Sequence, residues 1–419
     1  MMEYQAYLKQ YARLLVELGV ALQPGEYLIL EADAENIDVV RAVTQTAMER
    51  GAKDVAVFLR DEYVDQYRAL YGETEEISAV RDWQKESLSY YLERGAVSLL
   101  LKSPHPELMK EVPAEKTEAL FQSSNNLRNV IRSSWTQRGT RWCIACAPNR
   151  DWAKCLYPQE TPEKAYEKLF YTLMEICRVD LEHDPVENWK EFLFSYYEYS
   201  SFMNAHKFDH LHFYGNNGTD FTVGFHPNAF WVGGSDRSSW NAKKNLGNIP
   251  TNEVSTSPDK YRMDGIVYST RPLLYGGGVI DKFYLIFEQG KVVDARAQVG
   301  QELLDKLLDT DEGSRRLGEI AFVEYDSPVA RCGKVFYTTL LDENASCHMA
   351  LGNGFAVCIP GLDGMDKEAC EAAHLNHSVQ HVDFMFGFEG LNADGYTKDG
   401  KMYSVFKNGK FIRRKTANE

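Results

Sequence analysis

Over residues 4–19 the apolar side chains Leu8, Tyr11, Leu14, Leu15 and Leu18 recur at helical spacing, and Gly19 offers a stop. The period then shortens. After the turn signal Gln23-Pro24-Gly25, the run Tyr27-Leu28-Ile29-Leu30 reads as a strand. Residues 36–50 regain helical periodicity up to Gly51, and Val55-Ala56-Val57-Phe58-Leu59 reads as a second, buried strand, which makes a βαβ unit. The pattern repeats less cleanly through a helix at 83–93 and a strand at 96–101. Further strands are expected at 129–132 and 142–147. Thr161-Pro162-Glu163 opens a helix with an N-cap oxygen and a first-turn proline, and its periodicity lasts to about Arg178. Residues 1–185 therefore read as an α/β N-terminal domain with a largely parallel sheet.

Past Asp184-Pro185 the pattern changes. A helix at 189–204 leads into short glycine-punctuated strands at 210–214, 221–225, 265–270, 283–287 and 291–297, with Gly290 in a hairpin turn between the last two. Residues 186–419 read as an α+β, β-rich C-terminal domain. No internal repeat or low-complexity tract interrupts either part. The first part has no Gly-x-Gly-x-x-Gly or Walker-type loop, so no nucleotide site is expected there. The cluster Gly276-Gly277-Gly278 precedes the strand-like Val279-Ile280 rather than a helix, so it reads as a flexible turn and not a phosphate cradle.

Size and composition narrow the function. With 419 residues, 44% hydrophobic and 26% charged, the chain is an ordinary globular protein too long for one core. Its formal charge of -15 argues against nucleic acid or an anionic membrane as partner, since both need a basic footprint. No apolar run is long enough to span a bilayer and the first residues lack the features of a signal peptide, so a cytoplasmic protein is expected. The eight cysteines are scattered; Cys143-x-x-Cys146 has no second pair, so both are read as plain strand residues.

Candidate chemistry gathers in the second part. In the stretch Asn376 to Gly387, the residues His381, Asp383 and Met385 alternate with Val382, Phe384 and Phe386. That is the period-two pattern of a strand with one apolar face, and it points His381 and Asp383 the same way. An imidazole and a carboxylate fixed side by side suit a divalent metal. Four more groups are available to join them: Glu253 in a loop around Pro250, Glu319 at the start of an apolar strand, and Glu343 and His348 together in one loop. Acids in apolar segments are costly to bury without compensation. Taken singly, each residue also has a purely structural reading, as a cap, a solvated acid or a satisfied core histidine. Together, two histidines and four acids are enough for two divalent cations with one bridging carboxylate, a pair able to polarise a carbonyl and to lower the pKa of water toward ~7. The histidines at 206, 210, 212, 226, 374 and 377 connect to no site.

Five blocks then carry a resemblance: Gly218-Thr219-Asp220-Phe221-Thr222-Val223-Gly224; Asn248 to Val254; Arg316-Leu317-Gly318-Glu319; Asp342-Glu343-Asn344-Ala345 with His348 and Gly352; and His381-Val382-Asp383-Phe384-Met385. In this order they resemble the thermophilic aminopeptidases of the aminopeptidase T, or M29, family, and Leu22-Gln23-Pro24-Gly25 after the opening helix is similar to the family's start. The resemblance covers nearly the whole chain. It implies a metal-dependent aminopeptidase that releases N-terminal residues from short peptides with a free amino terminus, by attack of a metal-activated hydroxide. It implies two divalent ions per chain (zinc, cobalt or manganese) held by Glu253, Glu319, Glu343, His348, His381 and Asp383, with Glu319 as bridging ligand or proton shuttle, and a homodimer with its site facing an internal cavity.

Two departures stand out. The family usually carries two adjacent acids where this chain has Asn252-Glu253, and a tyrosine where it has Phe355. Loss of an oxyanion-donating phenol can cost on the order of a hundredfold in turnover. The alternatives are a hydrolase of another amide on the same cluster, and a degenerate, non-catalytic metal- or peptide-binding protein of the same fold.

Overall fold

A computed structural model describes residues 2–234, 245–362 and 367–412. The chain forms two compact units: Met1–Glu191, Arg237–Thr251 and Phe336–Leu340 make the first, and Phe192–Asp236, Asn252–Val335 and Leu341–Glu419 the second.

In the first unit the opening helix Met2–Arg13 continues as a wider-wound turn over Leu14–Gly19, where Val20 N donates to Leu15 O five residues back at 2.9 Å. Strands β1 (Tyr27–Asp33), β2 (Asp54–Arg60), β3 (Val97–Lys102) and β4 (Trp142–Cys146) form a sheet of order β2-β1-β3-β4, with every pairing parallel as the βαβ pattern predicts. Cys143 and Cys146 are buried on β4, and neither is in a disulfide. Thr161 caps the helix Pro162–Ile176 by accepting from Lys164 N. The strand expected at 129–132 is wrong: those residues lie inside the helix Ala114–Arg138. Val130-Ile131 is too short an apolar run to define its own period. Ala119, Leu127, Ile131 and Ser134 instead fall on one helical face that is buried or half-buried, and no glycine or proline stops the helix before Gly139.

The second unit is built of antiparallel strands. Its larger sheet joins β5 (His210–Tyr214), β6 (Asp220–Gly224), β8 (Met263–Tyr268), β10 (Gly278–Glu288), β11 (Lys291–Val299), β15 (Asn392–Tyr396), β16 (Met402–Lys407) and β17 (Lys410–Phe411), in the order β11-β10-β8-β6-β5-β15-β16-β17. Strand β9 (Leu273–Tyr275) pairs only with β10, and Gly276 and Gly277 make the turn read from sequence, at φ 59° and 79°, closing a hairpin between the two strands. A second sheet of order β14-β13-β12-β7 is made by β7 (Val254–Thr256), β12 (Leu317–Phe322), β13 (His348–Gly352) and β14 (His381–Met385). Phe322 on β12 and Phe386 just after β14 pack on Phe213 of β5, with ring centroids 5.3 and 5.6 Å away. One face of the smaller sheet thus closes an aromatic core. The opposite face is left for chemistry.

Candidate metal centre

Alternation across the smaller sheet decides which side chains meet. Ile320, Phe322, Met349, Leu351 and Phe384 enter the core, so their neighbours Glu319, Ala321, His348, Ala350 and Asp383 take the other face. The register aligns them: Ala350 pairs with Glu319 on one side and Asp383 on the other, Ala321 pairs with His348, and Gly352 pairs with His381. Each long ligand-type side chain therefore has an alanine or glycine across from it, which leaves room between the carboxylates. The register shifts at Gly318, where a Cβ would come 2.1 Å from Asn353 O, so only glycine lets the chain bulge here and turn Glu319 onto this face.

Five of the six residues expected at the site come together in two overlapping groups. One atom each from Glu253, Glu319 and His348 lies within 4.8 Å of the others, and the same holds for Glu319, His381 and Asp383. Glu319 belongs to both. His348 Nε2 is 3.2 Å from Glu253 Oε2, and His381 Nε2 is 3.2 Å from Glu319 Oε2 and 3.3 Å from Asp383 Oδ1. The sixth, Glu343, is outside these groups but within electrostatic reach of Asp383, Glu253, His348 and Glu319. It sits in the 3-10 turn Glu343–Ala345, whose Asn344 Oδ1 accepts the amide of Asn252 at 2.6 Å and so fixes this turn beside Glu253. The expectation that Glu343 and His348 share one loop is corrected: His348 begins β13, because His348-Met349-Ala350-Leu351 already alternates with the core period.

The residues fit divalent cations. His381 Nδ1 donates to Asn353 O at 2.7 Å and His348 Nδ1 lies 3.3 Å from Ser346 O, so in each ring the backbone contact fixes Nδ1 and leaves Nε2 turned to the carboxylates. Asp383 Oδ1 is buried and makes no hydrogen bond among the described residues, a cost that a cation would remove. The charge balance points the same way. Burial pushes the Glu319 carboxyl up, and the charges of Glu253 and Asp383 add to this. Burial also pushes Glu343 well above the usual carboxylate range, again with Asp383 and Glu253 adding. Burial opposes charge on the histidines, but the carboxylates outweigh it. Glu253 beside His348 raises it to about 10, and Asp383 with Glu319 raises His381 to about 11. Asp383 is held low despite burial, by its contact with His381. Excess negative charge among buried and half-buried side chains favours cations, and the donor set of imidazole nitrogens and carboxylate oxygens suits divalent ones.

The ring of Phe355 lies 4.7 Å from that of His381 and is partly exposed. Its backbone is held from both sides, since Phe355 N donates to Ser257 Oγ at 2.8 Å and Phe355 O accepts from Cys358 N at 3.0 Å. Three of the other histidines have carboxylate partners elsewhere: His210 pairs with Asp209, His212 with Asp220, and His374 with Asp259.

The model of the family described as thermophilic metalloprotease (M29) matches residues 4–411. The chain belongs to this family. It is 35% identical over 403 residues to aminopeptidase AmpS of Bacillus subtilis (strain 168), covering 96% of this chain and 97% of the relative. It is 36% identical over 409 residues to aminopeptidase 2 of Geobacillus stearothermophilus, covering 98% of each. The solved structure of wild-type AmpT from Thermus thermophilus superposes with a TM-score of 0.89 at 31% identity, over 97% of this chain and 99% of that one. A 2,5-dihydroxypyridine dioxygenase from Pseudomonas putida KT2440 shares the fold alone, with a TM-score of 0.51 at 12% identity. This M29 member is thus a metal-dependent aminopeptidase, and its relatives lend no support to a non-catalytic binding protein. Among the described residues no helix is long and apolar enough to cross a membrane.

Proposed function

We propose that this M29 enzyme removes the N-terminal residue from short peptides at a dinuclear centre on the smaller sheet, with residues 186–419 as the catalytic domain. Glu253, Glu319, Glu343, His348, His381 and Asp383 hold two divalent ions, zinc, cobalt or manganese. The observation that carries this reading is that Glu319 belongs to both close groups of ligand-type atoms. A carboxylate with two oxygens that belongs to both groups would be placed to bridge two ions, or to keep one oxygen back as a base. Bound divalent cations lower the pKa of a water toward ~7 and polarise a carbonyl.

The chain's own residues supply the rest. Glu319, buried and fixed at the β12 bulge, is the bridging ligand or, with one oxygen left free, the proton shuttle from the attacking water to the departing amine. The surplus of carboxylates attracts the α-ammonium of a peptide, which favours a free amino terminus over an acetylated one. His381 and His348, oriented through Nδ1, keep Nε2 unprotonated once cations replace their protons. The enzyme acts as a cytoplasmic homodimer.

Purified protein is expected to release p-nitroaniline from Leu-p-nitroanilide only with metal present, to carry two ions per chain by elemental analysis, and to leave acetylated peptides intact. Activity that survives exhaustive chelation would sink the proposal. Equal cleavage of acetylated peptides would instead favour a hydrolase of another amide.

A further inference from the structure

The first unit contains a crevice of its own, lined by none of the metal-centre residues. In the sheet order β2-β1-β3-β4 the chain leaves β1 toward one edge and β3 toward the other, so a switch point lies between the carboxyl ends of β1 and β3, where open α/β sheets bind ligands. A cavity of about 440 Å³ opens there, lined by Glu31 and Asp33 from the end of β1, Lys102 from the end of β3 and Arg60 from the end of β2. It adjoins a larger chamber of about 800 Å³ with apolar walls that include Phe58, Trp83 and Leu127. Glu31, Arg60, Ser124 and Arg128 border both. Each volume is typical of a small-molecule site.

The lining selects the ligand. The Arg128 Nε is buried and makes no hydrogen bond among the described residues, so a donor points into covered space without an acceptor. Arg60 beside it is already oriented, through Nη2, by Ser124 Oγ at 2.7 Å and Asp65 at 3.3 Å. Opposing them, Glu31 is buried and Glu62 is half-buried, and burial pushes both carboxyls up. A phosphate is disfavoured: Asp33 already caps the turn after β1 by accepting from Glu35 N at 2.9 Å, and acids line the walls. At the rim, Tyr337 holds a φ of 61°, a left-handed conformation that a bulky residue rarely adopts.

We propose that this crevice is a second binding site, for a small zwitterion with an apolar side chain: a free amino acid or a dipeptide. Arg128 and Arg60 take its carboxylate, Glu31 and Glu62 its ammonium, and the larger chamber its side chain.

The test is calorimetric titration of L-leucine and of L-leucyl-L-leucine into the full-length chain in chelator, so that the dipeptide is not hydrolysed. Saturable binding is expected for at least one, and the tighter of the two identifies the source. Arg128→Gln and Glu31→Gln are each expected to weaken it at least about tenfold, as are the ligand changes to L-leucinamide and to 4-methylpentanoate, which each lack one charge. Ser124→Phe, which fills the crevice from a half-buried position on the helix Ala114–Arg138 without removing a charge, is expected to abolish binding even if a charge variant fails to fold. Affinity unchanged in Ser124→Phe, or no binding of either ligand at millimolar concentration, overturns the proposal.

Discussion

Glu319 and Asp383 stand on either side of Ala350 in a single cross-strand row, on the face of the sheet turned away from the aromatic core. Nothing larger than a methyl group separates the two carboxylates along that row. Ala350→Val would add bulk there without touching a ligand, at a stability cost of about 1–3 kcal/mol for overpacking a buried position. It is expected to lower bound metal and turnover together, read by elemental analysis and by Leu-p-nitroanilide hydrolysis. Full metal content with full activity would show that the spacing across Ala350 is immaterial.

The role given to Glu319 separates charge from shape. Glu319→Gln keeps the side chain's size and its ability to hydrogen-bond His381, but it removes the charge and the basic oxygen. At saturating metal, turnover is expected to fall about 10²–10⁴-fold, the range for loss of a general acid-base group. A variant within about threefold of the native rate would reduce Glu319 to a structural hydrogen-bond partner.

How much of this was legible beforehand follows from the kind of signal. The alternation at 381–386 and the embedded acids are local, and they led directly to strands and to a face; the parallel first sheet was equally local in its βαβ rhythm. The joining of Glu253, Glu319 and His348 was not local. It depends on pairings between β7, β12 and β13, which come from distant parts of the chain; the residue types alone make these three candidates, and the family's block order ties them together. The register that sets Ala350 between two acids, and the carbonyl of Asn353 that orients His381, leave no mark on sequence period at all. The misread strand at 129–132 is the reverse failure, since a two-residue apolar run was taken for a period. His105, Asp33 and Asp151 were passed over because each follows or ends a different element, and only the folded sheet assembles them.

Phe355 offers a gain rather than a loss. Its ring lies against His381 and is partly open to solvent, so a hydroxyl added there can be accommodated. Phe355→Tyr is expected to raise kcat, by up to about a hundredfold if the phenol donates to the developing oxyanion, with KM little changed. A rise in KM with constant kcat would instead assign this position to substrate binding. No change in either would show that the enzyme stabilises its oxyanion by other means.

Stability should respond to pH through His105, away from the metal centre. Its ring is almost fully buried, with Nδ1 2.9 Å from Asp151 and Nε2 3.4 Å from Asp33. Burial opposes the charge, but the nearby carboxylate of Asp33, the hydrogen bond to Asp151 and the charge of Glu62 outweigh it and raise the group to about 9, from 6.5. The folded form therefore binds this proton more tightly than the unfolded chain. Its contribution is fully present below pH 6.5, declines from there, and is gone once the pH has risen through about 9. The difference amounts to a few kcal/mol at most, on the order expected for a shift of this size. Urea unfolding followed between pH 6 and pH 10 should show stability falling over that window. In His105→Gln the fall attributable to this site should disappear. A native protein whose stability is flat across the window, or a variant that keeps the same slope, would mean that this buried histidine is neutral in the folded chain.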